Sequence, residues 1–175
     1  LGGTSIGPQL GVLGDAIEAT LALEIDPAIT DAIADAGTIY FAGKNNGVAE
    51  ELTLKTNEIT RKKSDFLEGT YAVHGIEEVM DADDVVIVID PFREELQKLK
   101  ETLVDGVGLT VVAVSTEETI FPTIVTPAVE GLQNFVDLAA GWNILIEVGI
   151  RLGVNLDEAE RARQVGNEFT DETGP

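Results

Sequence analysis

At 175 residues with 44% hydrophobic side chains, the chain carries enough apolar material for one sizeable core and falls in the size range of a single domain. Its 32 acidic against 11 basic residues give a net charge of -21, a field that repels phosphate backbones and anionic lipid and argues against nucleic acid or a membrane as partner. With no cysteine and one histidine, neither a disulfide framework, a thiolate zinc site nor a multi-histidine metal centre is available, and no cofactor is called for.

Leu10, Leu13, Ile17 and Leu21 recur at helical spacing over Gln9 to Glu24. Asp26-Pro27 then reads as an N-cap followed by proline in the first turn of a second helix. Thr38 to Ala42 (TIYFA) is a short β-rich run ending at Gly43, and the turn GKNNG leads into a helical pattern from Val48 to about Arg61. Val85 to Ile89 (VVIVI) and Leu109 to Val114 (LTVVAV) are apolar throughout, with a helix-like Arg93 to Leu103 between them. Strands apolar on both faces and separated by helices predict a parallel, flavodoxin-like sheet in a three-layer α/β/α sandwich. A short strand near Thr123 to Val125 adds an edge, a long helix over Glu130 to Leu152 crosses a face, and Asn155-x-x-Glu158 is a capping pattern for a last helix.

The expected organisation is one domain: N-terminal helices through residue 36, an α/β core over 37–152 and a C-terminal segment over 153–175. No basic segment precedes an apolar run at the start, and Leu132 to Leu152 contains Asp137, Glu147 and Arg151, so neither a signal peptide nor a membrane span is expected. Lack of cysteine agrees with a cytoplasmic location. Acidic excess on a well-supplied core suits a high-salt, halophilic cytoplasm in which dense counterions screen self-repulsion; an ordinary acidic surface is the alternative. The start at Leu1, without methionine, suggests a piece of a longer chain.

Ligands of open parallel sheets bind beyond the carboxyl ends of the strands, here the loops after Ala42, Ile89 and Val114. In the first of these, Gly43, Lys44 and Asn45 could present backbone N–H groups to an anion at a helix start, or could simply turn the chain. Lys55 and Glu58 share a helix face, where the ammonium could hold the carboxylate ionised as a proton acceptor, or form an ordinary surface pair. His74, in YAVHG, could shuttle protons near neutral pH, or be structural. Neither a G-x-G-x-x-G fingerprint nor a P-loop occurs, which argues against a nucleotide-binding domain.

The stretch FAGKNNGVAEELTLKTNEITRKKSDFLEGTYAVHGIEEVMDADDVVIVIDP resembles the second sugar-isomerase (SIS) domain of the glucosamine-6-phosphate synthase family. There a strand ends in G-R-G, a helix carries A-L-K-L-K-E and a later loop brings H-G-P; Gly43-Lys44-Asn45, Leu54 to Glu58 and His74-Gly75-Ile76 stand in their places, in the same order. The likeness runs from about Gln9 to Glu168, closing with GVNLDEAERARQVGNEF. It implies a sugar phosphate as ligand, a homodimer, and the second half of a chain with two SIS domains. Glu58 would be the base moving a proton between C1 and C2 of the open-chain sugar, Lys55 would favour its charged form, and His74 would open the ring, in the synthase by reaching into the neighbouring subunit's site.

The departures are as informative. The family's imine-forming lysine aligns with Gln164, which favours isomerisation, deamination or deglycation over transfer of amide nitrogen. Tyr71 replaces an acidic residue and Ile76 the proline after H-G. The S-x-S-G-x-T phosphate loop of the first SIS domain has no counterpart, since Ser115 to Thr119 includes two carboxylates. A first SIS domain or a partner chain would have to supply it. The rival expectation is a domain that binds a sugar phosphate as a sensor and performs no chemistry.

Overall fold

The computed structural model describes residues 7–158 and Arg161. Its centre is a five-stranded, wholly parallel sheet with strand order β2-β1-β3-β4-β5. The strands are β1 (Ile39–Gly43), β2 (Ser64–Glu68), β3 (Val85–Ile89), β4 (Thr110–Ser115) and β5 (Thr123–Val125). Every residue of β1 and β3 is buried, as their unbroken apolar runs demand. Both faces of the sheet are therefore covered.

Alternation along the strands feeds two separate cores. Ile39, Phe41, Val85, Ile87, Ile89, Val112 and Val114 point to one face. There they meet α2 (Pro27–Asp35), α3 (Val48–Thr60) and α5 (Gln133–Arg151). Tyr40, Ala42, Val86, Val88, Val111 and Ala113 point to the other. That face is covered by two 3-10 turns, Tyr71–Val73 and Ile76–Val79, and by the segment from Arg93 to Val107, of which Leu96–Leu99 is α4 and Lys100–Val107 is π-helical. The three-layer sandwich expected from the sequence is thus present.

Local chemistry explains the element ends. Asp26 caps α2, its Oδ1 accepting from Ala28 N at 2.8 Å, and Pro27 takes the first helical position. The first helix, α1 (Gly7–Leu21), buries Leu13, Ala16 and Thr20, while Leu10 and Leu21 of the apolar repeat face outward. Strand β2 lies in a stretch with no clear strand pattern because it is an edge: of its five residues only Leu67 is buried. Asn155 Oδ1 accepts from Asp157 N at 3.1 Å; the expected last helix and Gln164 lie outside the described residues.

Helices α3 and α5 meet at Gly141, where a Cβ would stand 2.3 Å from Leu52 Cδ1. Leu52 is completely buried there, so the missing side chain on α5 is what lets the two helices approach. Among the described residues no helix is long and apolar enough to cross a membrane.

Candidate functional site

In this strand order the chain leaves β1 in one direction, to β2, and returns across it to β3 on its other side. The carboxyl ends of β1 and β3 therefore bound the crevice in which such sheets hold ligands. Backbone packing there is extreme. Gly43 has φ +132°, and a Cβ on it would lie 1.9 Å from Ile89 O, so only glycine fits. Asp90, which follows β3, adopts φ +43°, a left-handed conformation that non-glycine residues avoid and that concentrates at functional sites.

Lys44 extends from the β1–α3 loop and pairs through Nζ with Asp90 Oδ2 at 2.6 Å, both side chains partly exposed. Asn45 donates through Nδ2 to Glu68 Oε1 at the end of β2. Asn46 Oδ1 accepts from Val48 N, and Gly47 forms the left-handed N-cap of α3. The loop named from the sequence thus does lie at the crevice, tied to β2 and β3 by its own side chains.

Further along the same edge, Gln133 Nε2 donates both to Thr126 Oγ1 at 3.2 Å and to Asp137 Oδ1 at 2.9 Å. Asp137, on the core face of α5, is 1% exposed, and its Oδ2 has no hydrogen-bond partner. Burial pushes its carboxyl up to about 6; the charge of Asp90 adds to this, while the hydrogen bond from Gln133 and the charge of Lys44 oppose it. Sequence reasoning passed over both Asp90 and Asp137. The signal for Asp137 was a lone acid on the apolar stripe Val136, Ala140, Ile144, Val148.

Beyond β4, Arg93 pins the loop Ser115 to Thr119. It donates through Nη2 to Ser115 Oγ at 3.1 Å and through Nη1 to Glu118 O at 3.0 Å, and it pairs with Glu117 Oε2 at 3.2 Å. The cation at this loop is already neutralised by Glu117, which leaves little attraction for a phosphate.

Lys55 and Glu58 form their pair, Nζ to Oε2 at 2.7 Å, with side chains 22% and 23% exposed. The Glu58 hydrogen bond is the main reason the Lys55 ammonium titrates above its ordinary range. The pair lies near the end of α3: neighbouring Asn57 accepts through Oδ1 from Ser64 Oγ, the first residue of β2. It is therefore at the amino edge of the sheet, on the α3 and α5 face. His74 lies at the carboxyl edge over the other face, following Ala72 and Val73 of the second core, with Nε2 3.0 Å from Thr70 Oγ1. A shallow recess beside it is lined by Leu67, Tyr71, His74, Gly75 and Ile76.

Within one chain, then, Lys55 pairs with Glu58 at the amino edge, whereas Lys44, Asn45 and His74 all lie at the carboxyl edge, the loop after β1 meeting the end of β2 through Asn45 and Gly43, and His74 resting on Thr70 just beyond it. Among the described residues, no three histidine or carboxylate side chains converge as a metal site would need.

The sequence matches no protein-family model and no curated protein. Solved structures do match. The C-terminal domain of glucosamine-fructose-6-phosphate aminotransferase from Francisella tularensis superposes with a TM-score of 0.68 at 20% identity, over 86% of this chain and 46% of that one. Tagatose-6-phosphate ketose/aldose isomerase from Escherichia coli gives 0.59 at 22%, over 87% and 45%. A further Escherichia coli protein, solved as a complex with a sugar phosphate, gives 0.67 at 16%, over 86% and 90%. The chain spans about half of the first two and most of the third. On these likenesses, and on its five-stranded parallel sheet, the chain has the fold of the sugar-isomerase (SIS) domains of phosphosugar isomerases.

Proposed function

We propose that this chain is the base-carrying sugar-phosphate-binding domain of an isomerase. It would act on a ketose or amino-sugar phosphate through an enediol or enediolamine. The observation that carries the reading is the half-buried Lys55–Glu58 pair on a SIS fold, where the motif resemblance would put that family's base. Glu58 takes the proton from one carbon, holds it as the neutral acid while the enediol stands, and returns it to the next; the Lys55 ammonium keeps the carboxylate ionised and ready before the first transfer. Lys44 and Asn45 contact the ligand at the β1 end, and His74 serves ring opening from a different chain or domain. Phosphate is clamped by a first SIS domain or a partner chain.

A homodimer suits this division of labour. Phe135, Trp142 and Ile150 recur along the outer side of α5 and are all substantially exposed, the kind of apolar surface that subunit contacts cover. The sensor reading, with binding and no chemistry, is favoured by the separation of Glu58 from His74 in one chain.

The test is proton exchange at C2 of fructose 6-phosphate in deuterated high-salt buffer, comparing the longest natural form with Glu58→Gln. Exchange that disappears in the variant supports the base. Binding without exchange in either protein leaves the sensor reading.

A further inference from the structure

A buried carboxylate oxygen with no partner is rare in a folded protein and calls for a cause. Asp137 Oδ2 is such an oxygen, and at the neighbouring β1/β3 crevice the Lys44 ammonium is held by a second carboxylate, Asp90. Asp90 itself occupies a strained backbone conformation. The charged groups that bear on Asp137 are these two, Lys44 from the β1–α3 loop and Asp90 from the end of β3. From its own helix comes only the neutral Gln133, which Thr126 also engages.

Neither protonation state of Asp137 is satisfied as the side chains stand. Neutral, it holds a proton on an oxygen that nothing accepts from; ionised, it is a buried anion with a single hydrogen bond, from Gln133. Asp137 stands one helical turn before Gly141, which packs on Leu52 one turn into α3, so it lies beside the helix start that follows the Lys44 loop; the long, partly exposed Lys44 side chain can reorient at small cost.

We infer that Asp137 is a positioning residue for Lys44: when ionised, its free oxygen competes with Asp90 for the Lys44 ammonium and draws it into the crevice, and when protonated it leaves Lys44 on Asp90. The β1–α3 loop thereby has two settings for the cation that meets the ligand. The consequence for binding rests on the reading of Lys44 as a sugar-phosphate contact; the competition between the carboxylates does not.

The experiment follows the Asp137 carboxyl carbon and the Lys44 Nζ resonance by NMR through a pH titration of the full chain. The expected result is a common midpoint near 6, loss of the Lys44 inflection in Asp137→Asn, and a lower Asp137 midpoint in Asp90→Asn, which keeps both other groups. A Lys44 resonance that stays flat through the Asp137 titration, or that keeps its inflection in Asp137→Asn, overturns the inference.

Affinity for fructose 6-phosphate supplies the functional arm. The wild-type to Asp137→Asn affinity ratio is expected to change several-fold between about pH 5 and about pH 7, the phosphate's own ionisation cancelling in that ratio. A constant ratio overturns the positioning role. Absence of binding at every pH sinks the sugar-phosphate reading instead, and the NMR titration still decides the competition.

Discussion

Gly141 on α5 stands directly against Leu52 on α3, so that a Cβ at Gly141 would lie 2.3 Å from one Leu52 methyl and 2.4 Å from the other. Alanine in a helix interior ordinarily gains about 1 kcal/mol over glycine. Here the overlap with a fully buried side chain reverses the sign, and Gly141→Ala is expected to destabilise by about 1–3 kcal/mol. Leu52→Ala alone should cost about 2–5 kcal/mol through the cavity it leaves. In the double variant the new methyl group enters that cavity, so the loss in urea unfolding should be smaller than the two single losses together. Additive losses would show that the two residues do not share this space.

The placement of Glu58 and His74 at opposite edges and over opposite faces of the sheet makes a second expectation. If each site takes Glu58 from one chain and His74 from its partner, Glu58→Gln and His74→Asn are each inactive alone. Refolded together in equal amounts, they should recover about a quarter of wild-type exchange, because half the dimers are mixed and each of those rebuilds one of its two sites. No recovery, with mixed dimers demonstrated by native mass spectrometry, would exclude a shared site.

How much of this was legible beforehand differs element by element, for physical reasons. The central strands announce themselves because burial on both faces keeps Val85–Ile89 and the inner four residues of β4, Val111 to Val114, wholly apolar. The edge strand Ser64–Glu68 has one buried residue and so no pattern to read. On α1 the apolar repeat pointed to Leu10 and Leu21, yet the buried stripe includes Ala16 and Thr20, whose hydroxyl donates to Ala16 O at 2.7 Å. A threonine that satisfies its own hydroxyl on the preceding turn can enter a core, and hydropathy alone does not register this. At the amino edge of the sheet, helical spacing foretold the contact between Lys55 and Glu58. The meeting of Lys44 with Asp90 depends on two segments 46 residues apart coming to one edge of the sheet, which no local pattern encodes.

The closeness of β1 and β3 can be tested with two glycines in one loop. Both have left-handed backbone, but Gly47, at φ +85°, has nothing within 4 Å of a built Cβ, whereas Gly43, at φ +132°, would press one against Ile89 O. Gly47→Ala should therefore cost only the backbone term, about 1 kcal/mol. Gly43→Ala adds a collision with main chain that cannot rotate away, and about 3 kcal/mol or more is expected. Thermal unfolding of the two variants side by side reads the difference, and equal losses would mean that the strand ends are further apart than the structure has them.

Asp137 should also leave a signature in stability against pH. Its carboxyl is raised from 3.8 to about 6, so between these values the folded chain binds more protons at this site than the unfolded chain. The site's contribution is therefore full below the unfolded value, falls as pH rises, and is gone above about 6. A difference of this size corresponds to about 3 kcal/mol. Asp137→Asn removes the ionisation and keeps an oxygen to accept from Gln133, but its amide N–H groups find no acceptor, a cost of about 1–2 kcal/mol at every pH. The two effects have opposite signs: the variant should be more stable than wild type by about 1–2 kcal/mol near neutral pH and less stable by a similar amount near pH 4. Urea midpoints across that range decide the matter, for a constant offset between the two proteins would mean that the buried carboxyl titrates at its ordinary value.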